Sequence, residues 1–515
     1  MNAVDYLMNH DNRAAAGDPV LLTLTSEHSY GELRRASDAV ANFLIASGLQ
    51  KGDRILLLSE NSFFWMACYL GTLRAGFVSV PLSPGTSPED LKFICESCNI
   101  RLAFIQGKLN RDQWHAFSND CRIVLDGSFK PPEECKLESI PFADVLASQS
   151  SNNEWRAIDE KHDLAAIMFT SGSTSKPRGV MVSHGNIIAN TCSIVEYMEL
   201  TSQDRIMVVL PFFYCFGTSL LHTHLRAGGS LVIDPRFMFP DKVLRRMQET
   251  NCTGFAGVPS HYQMLLRKSS FKKMRFPSLR YVQQAGGKLS DLLIRELRDA
   301  IPATKVFVMY GQTEATARLS YLPPALLDRK LGSIGKGISG TRLRVVDENG
   351  NDVLPGQPGE IVADGNNVAL GYWGSGDEDK ETFRDGALYT GDLATVDEDG
   401  FIFIVDRSKD ILKCGGKRSP CKEVEDALLE FDDLVEAAVI GVPDELLGEA
   451  VKAFVVPKVD RDGLIERLQA FCTRRLPPHL MPKEIVVLDE LPKNSGGKIL
   501  KPALRALRNP DFVCQ

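Results

Sequence analysis

At 515 residues the chain is too long for one ordinary hydrophobic core, so two or more domains are expected. Hydrophobic residues make up 44% and charged residues 24%, the balance of a soluble globular protein. The net charge of −7, from 59 basic and 66 acidic side chains, excludes a bulk attraction to nucleic acid or to an anionic lipid surface.

In chain order, Ser29-Tyr30-Gly31-Glu32-Leu33 opens a helix whose apolar residues Leu33, Ala36, Val40 and Leu44 recur at helical spacing, and Gly48 ends it. Arg54–Leu58 reads as a strand, Asn61 to Ala75 as a helix closed by Gly76, and Phe77 to Leu82 as the next strand. No membrane span is predicted, because the greasiest region, Phe63 to Leu73, is short and ends at Arg74. Leu164 to Phe169 is an apolar run of strand length, and further strands are predicted at 205–210, 230–233, 254–258, 281–284 and 305–309. This β–α–β rhythm predicts a mostly parallel sheet covered by helices. Gly and Pro become dense from Gly332 to Gly374, with alternating runs such as Arg342–Val346, which predicts a small β-rich subdomain. The polar stretch Asp406-Arg407-Ser408-Lys409-Asp410 is a hinge candidate, and strand and helix signals resume beyond it at 423–429, 436–440, 451–456 and 463–474.

The N-terminal Met1–Asp5 has no basic region followed by an apolar core, so no secretory signal is expected. The 12 cysteines lack the spacing of a disulfide scaffold and read as reduced thiols of a cytoplasmic protein. Cys95-Glu-Ser-Cys98 has no second pair, and His222-Thr-His224 has no third ligand nearby, so neither is assigned a metal.

The segment Thr170-Ser171-Gly172-Ser173-Thr174-Ser175-Lys176-Pro177-Arg178-Gly179 directly follows the apolar run at 164–169. A glycine-rich loop after a strand can present backbone N–H groups to a phosphate, with hydroxyls as further donors and Lys176 and Arg178 as charge. Taken alone it reads equally as a polar turn, and it lacks the Gly-Lys-Ser/Thr ending of a Walker loop. It resembles the phosphate loop of the acyl-adenylate-forming superfamily, which includes acyl-CoA synthetases, peptide-synthetase adenylation domains and luciferases. Ser175 stands where the family usually has Gly, and Arg178 where it usually has Lys. The resemblance continues in order along almost the whole chain. It takes in Gln284-Ala285-Gly286-Gly287, Tyr310-Gly311-Gln312-Thr313-Glu314, Gly371-Tyr372-Trp373, Tyr389-Thr390-Gly391-Asp392, the 406–410 stretch and Pro492-Lys493-Asn494-Ser495-Gly496-Gly497-Lys498.

The resemblance implies an α/β fold: a large N-terminal domain of parallel or mixed sheets covered by helices plus a β-rich subdomain, then a small mobile α+β domain. The corresponding boundaries are 1–405 for the adenylation core, 406–410 for the hinge and 411–515 for the lid. It implies ATP and Mg²⁺ as cofactors, an acyl-AMP intermediate, and transfer to a pantetheine thiol of coenzyme A or of an acyl carrier protein. Thr170, Ser171, Gly172, Ser173, Thr174 and Lys176 would then hold phosphates, with Gly286 and Gly287 beside the adenine. Tyr310 would stack on the base, Gly311 would belong to the same nucleotide site, Thr313 would contact the α-phosphate and Glu314 would bind Mg²⁺. Asp392 and Arg407 would take the ribose, and Lys498 would reach the carboxylate and α-phosphate, with Lys493 as its local competitor. Lys409 occupies the hinge position, and Gly416 would let pantetheine pass the backbone during the second of two domain orientations.

The acid pocket is expected to draw on Tyr214, Cys215, Phe216, Val258, Gly286 and Gly311. Many relatives carry His where Tyr214 stands, and a phenol cannot take the cationic role of an imidazole. Amino-acid-activating relatives carry Asp at the position of Cys215, whose neutral thiol gives an α-ammonium no salt bridge. A non-amino carboxylic acid of modest size is therefore expected. Two alternatives stand beside it: an enzyme loading an amino acid such as proline onto a peptidyl carrier protein, and a non-catalytic nucleotide-binding homologue.

Overall fold

The structure is a computed structural model that describes residues 1–9, 14–127, 130–147, 155–170, 176–374, 376, 379–407, 411–414, 417–444, 448–458, 462–494 and 496–507, without the side chains of 379, 380, 406, 407, 411, 413, 417 and 418. Among the described residues the chain forms four sheets. A seven-stranded sheet runs in the order 139–141, 122–126, 102–106, 54–58, 78–82, 164–170, 178–183 and is parallel until its last strand folds back antiparallel. A nine-stranded sheet runs 336–337, 320–322, 305–310, 281–284, 254–257, 205–208, 230–233, 19–22, 27–29, parallel in its middle with antiparallel edges. These two are the parallel or mixed sheets expected of the N-terminal domain; the β–α–β rhythm sets local connections and does not by itself count sheets.

Helix Phe63–Arg74 shows what holds the two sheets together. It is buried from Phe64 to Arg74, and an all-round apolar helix must be covered on every side. One core cluster surrounds it, joining Leu57 and Phe104 of one sheet to Ile206, Tyr281 and Phe307 of the other. Each fully buried side chain of this kind contributes roughly 1.5–3 kcal/mol. The helix begins at Phe63 rather than at the expected Asn61, because Ser62 caps it by accepting from Trp65 N–H. Asn61 is occupied elsewhere: its Nδ2 donates to Leu210 O at 2.9 Å and its Oδ1 accepts from Phe212 N–H at 2.7 Å. The neighbouring helix Tyr30–Ala46 starts with a capping box between Ser29 and Glu32 and crosses Phe63–Arg74 closely. A Cβ on Gly71 would lie 2.6 Å from the Val40 side chain, so only Gly fits that crossing.

Elements that build the site are, in chain order, β1 (Leu164–Thr170), β2 (Arg178–Ser183), α1 (His184–Met198), α2 (Cys215–Ala227), β3 (Gly254–Gly257), α3 (Pro259–Lys268), β4 (Tyr281–Gln284), β5 (Lys305–Tyr310) and β6 (Ala387–Val396). β6 belongs to the third, five-stranded sheet, the β-rich part that the Gly/Pro density predicts. The fourth sheet gathers 417–420, 411–414, 448–457, 434–444 and 484–487, with helices Cys421–Leu429 and Leu464–Arg475.

Candidate functional site

β3, β4 and β5 run parallel, so Val258, Gly286–Gly287 and Gly311–Glu314 follow their carboxyl ends side by side on one edge of the nine-stranded sheet. Gly286 has φ +81, and a Cβ there would lie 2.9 Å from Val258 Cγ1. At Gly311 a Cβ would fall 1.8 Å from Ala317 O. The chain reaches this closeness through Thr316, at φ 65 and ψ −41. There Ala317 N–H donates to Ala315 O at 2.7 Å, a γ-turn of the strained positive-φ hand. Thr316 Oγ1 anchors the turn by donating to Asn367 O at 2.7 Å.

The Tyr310 hydroxyl donates to Asp392 Oδ2 at 2.7 Å, and both side chains are buried. Asp392, on β6, is the register partner of Arg407 in the next strand, although the Arg407 side chain is not among those described. Glu314 Oε1 accepts from the Tyr372 hydroxyl at 2.7 Å. Burial first, and the Glu314 charge second, push the Tyr372 phenol up, so it keeps its proton. The Arg178 guanidinium lies 5.3 Å from the centre of the same ring, and Lys176 Nζ 5.1 Å from that of Phe93. Thr170 faces Arg178 across the β1–β2 hairpin. Ser171, Gly172, Ser173 and Thr174, together with Lys409 and Gly416, lie outside the described residues.

Tyr214 precedes α2, and Cys215 and Phe216 begin it. Cys215 Sγ accepts from Thr313 Oγ1 at 3.4 Å. Burial raises the Cys215 thiol, Thr313 and Arg318 oppose that, and Glu314 reinforces it, so the group stays neutral. Behind Cys215 a cavity of about 20 Å³ touches Tyr69, Met168, Thr218 and His222, room for a single water and not for an organic acid. His222 and His224 serve the core: their Nε2 atoms lie 3.0 Å from the Tyr69 hydroxyl and 2.8 Å from that of Tyr281. Cys95 and Cys98 are likewise buried in an apolar cluster.

From the opposite side, the turn around Gly497 closes on this edge. Ser260 Oγ, at the start of α3, donates to Gly497 O at 2.7 Å. A Cβ on Gly496 would lie 3.1 Å from the Tyr214 ring, and one on Gly497, at φ +81, would lie 3.3 Å from His261 Cε1. Asn494 N–H donates to Lys498 O at 2.9 Å and Lys498 N–H to Asn494 Oδ1 at 3.0 Å, which fixes the turn that leads into Lys498. Lys493 is turned to buried Glu436, with which it forms an ion pair.

A profile described as AMP-binding enzyme matches residues 9–373. The chain belongs to this family. A second profile, AMP-binding enzyme C-terminal domain, matches residues 423–498 of the same AMP-binding enzyme. It is 34% identical over 492 residues to a feruloyl-CoA synthase of Amycolatopsis sp, covering 93% of each chain. It is 30% identical over 491 residues to a long-chain-fatty-acid–CoA ligase of Bacillus subtilis, covering 90% of this chain and 87% of the relative. Among solved structures, the anthranilate CoA ligase AuaEII in complex with anthranoyl-AMP matches with a TM-score of 0.88 at 26% identity, covering 98% of this chain and 97% of that one. ATP-bound MatB from Rhodopseudomonas palustris matches with a TM-score of 0.85 at 30% identity, covering 98% of each. MenE from Bacillus subtilis with ATP and magnesium ion matches with a TM-score of 0.82 at 26% identity, covering 98% and 99%.

Among the described residues of this AMP-binding enzyme, no cluster of three or more His, Cys, Asp or Glu side chains could hold a metal. Glu314 offers one carboxylate with Tyr372 on Oε1, a donor set that fits Mg²⁺ taking its other ligands from phosphates and water. Three neighbours of the motif residues are not among the expected site components: Tyr372 behind Glu314, Ser260 against Gly497, and Arg318, whose guanidinium carbon lies 5.0 Å from the centre of the Phe216 ring. For Tyr372 a signal was present in Gly371-Tyr372-Trp373; for the other two only the fold brings partners together.

Proposed function

We propose that this AMP-binding enzyme activates a carboxylic acid with ATP and passes the acyl group to the thiol of coenzyme A. The observation that carries the reading is the seating of Gly496 on Tyr214 and of Gly497 on Ser260, at the sheet edge that also bears Tyr310 and Glu314, where Asp392 of the five-stranded sheet accepts from Tyr310. In the first step a carboxylate oxygen bonds to the α-phosphorus and pyrophosphate leaves. In the second the thiol sulfur bonds to the acyl carbon and AMP leaves.

Asp392, held by Tyr310, and Arg407 receive the ribose, and Tyr310 with Gly286, Gly287 and Gly311 flanks the base. Thr170, Ser171, Gly172, Ser173, Thr174 and Lys176 surround the phosphates, with Arg178 in the role of the usual Lys, and Thr313 contacts the α-phosphate. Magnesium held at Glu314 would neutralise phosphate charge as pyrophosphate departs. Lys498 places a positive charge where the carboxylate meets the α-phosphate. Rotation of 411–515 about Lys409 then withdraws Lys498 and brings Gly416 to the pantetheine arm. Tyr214 closes the pocket mouth with its ring. The names of relatives that match over nine-tenths of the chain support coenzyme A as acceptor, and the neutral Cys215 thiol favours an acid without an α-ammonium.

The test is a panel of simple carboxylic and amino acids assayed for exchange of pyrophosphate into ATP, then for thioester with coenzyme A or with a carrier protein. Acid-dependent exchange and an acyl-CoA product are expected. Exchange with no acid would remove the reaction, and transfer only to the carrier protein would replace the acceptor.

A further inference from the structure

We propose that Arg318 receives the far end of the acid, and that the preferred substrate carries a second carboxylate there. This rests on the acid-activating reading above and adds to it the class of acid.

Arg318 is 1% exposed, one of the largest fully buried side chains of the chain. Among the described residues no Asp or Glu pairs with it, and its Nε and Nη2 have no hydrogen-bond partner. Three uncharged groups lie beside it. The Phe216 ring covers one face at 5.0 Å, the Cys215 thiol is protonated, and the Tyr197 phenol on α1, pushed up by burial, shares a hydrogen bond with it. Arg74 makes the contrast: it too is buried with open nitrogens, but its Nη1 holds Asp38 Oδ1 at 2.8 Å. An isolated buried cation is strongly disfavoured, so a site of this kind calls for an anion.

The position of Arg318 is fixed by its backbone. Its carbonyl accepts from Asn190 Nδ2 at 2.9 Å and from Asn367 Nδ2 at 2.7 Å. The strained turn at Thr316 presses 317–318 onto Gly311, where a Cβ would lie 2.9 Å from Arg318 Cα. Three of the expected acid-pocket residues, Cys215, Phe216 and Gly311, are therefore its direct neighbours. The two unpartnered nitrogens form one edge of the guanidinium, the edge that grips both oxygens of a carboxylate. The protein uses that same edge elsewhere: Arg236 Nε and Nη2 hold Asp234 Oδ1 and Oδ2 at 2.9 and 2.6 Å. With one carboxylate of the acid at Tyr214 and Lys498, a second at Arg318 places the molecule along the Phe216 ring.

The experiment measures kcat/KM for acid-dependent pyrophosphate exchange with the α,ω-dicarboxylates from malonate to suberate against monocarboxylates of equal carbon number, and with the three benzene dicarboxylates against benzoate. The best acid is expected to be a dicarboxylate, preferred over its matched monoacid by at least about 100-fold, as a site built for a polar group rejects a ligand that lacks it. Arg318→Met should erase that preference with the KM for ATP unchanged. Arg318→Lys should keep the preference at a raised KM for the diacid, and it decides the matter should the Met variant fail to fold. A monoacid as best substrate, or a preference that survives Arg318→Met, overturns the assignment of Arg318 alone. Exchange with no acid of either series overturns acid activation itself and this assignment with it.

Discussion

The Tyr372 hydroxyl reaches Glu314 Oε1 at 2.7 Å, while the Arg178 guanidinium lies 5.3 Å from the centre of the same ring. The carboxylate proposed above to hold Mg²⁺ is thereby held by a donor that does not ionise. Tyr372→Phe removes that donor and leaves the ring under Arg178, so folding should be unaffected. The Mg²⁺ concentration for half-maximal pyrophosphate exchange should rise about 10-fold, the lower end of what loss of a ligand-orienting partner does. An unchanged Mg²⁺ dependence would show that Glu314 needs no such support. Residues in short patterns were legible from sequence: Tyr310, Thr313 and Glu314 stand within five positions of each other, as do Gly496 and Lys498. Tyr372 and Glu314 are 58 positions apart, and a hydrogen bond across that distance leaves no local pattern to read.

α2 carries two histidines that the chain keeps neutral. Burial lowers His222 from the usual 6.5 to about 3 and His224 to about 4. In the unfolded chain both take up protons below about pH 6.5, so between roughly pH 4 and 6.5 the unfolded state binds more protons and stability falls as pH falls. From pH 7 to pH 5 the loss is about 2 kcal/mol for each such histidine. His222→Gln should flatten the dependence of the urea midpoint on pH across that window, and an unaltered slope would contradict a neutral buried His222. Helix crossing gives a second prediction at this scale. Gly71→Ala forces a methyl against Val40 and should cost about 1–3 kcal/mol in urea denaturation, whereas Gly17→Ala, with nothing within 4 Å, should cost much less. The helices Tyr30–Ala46 and Phe63–Arg74 were legible from periodicity, but α1, α2 and α3 were not predicted, and neither was β2, since the reading of 170–179 as one loop hid the strand Arg178–Ser183 that folds back on β1.

Across the whole molecule, the turn around Gly497 meets the edge that bears the motif residues, beside the packing of Leu434–Asp444 on α3. Ser260→Ala deletes the donor to Gly497 O and leaves Tyr214, Tyr310 and Glu314 untouched. Pyrophosphate exchange should fall about 5- to 10-fold, in line with one hydrogen bond of roughly 1–1.5 kcal/mol, while thioester formation from supplied acyl-AMP should not change. Equal losses in both half-reactions would assign Ser260 a general structural role. The order of motifs made the family legible, and with it the expectation of a separate C-terminal part. The seating of its glycines on Tyr214 and α3 was not legible, because shape fit between distant surfaces has no sequence period.

The central claim is that Lys498 serves the joining of acid to AMP and not the later transfer to the thiol. The most direct measurement compares Lys498→Ala with the unaltered enzyme in both half-reactions. Acid-dependent pyrophosphate exchange should drop at least about 100-fold, the scale of losing one preorganised charge at a reacting centre, while conversion of supplied acyl-AMP to acyl-CoA continues at its former rate. Full exchange activity in Lys498→Ala, or equal loss of both half-reactions, would contradict the account.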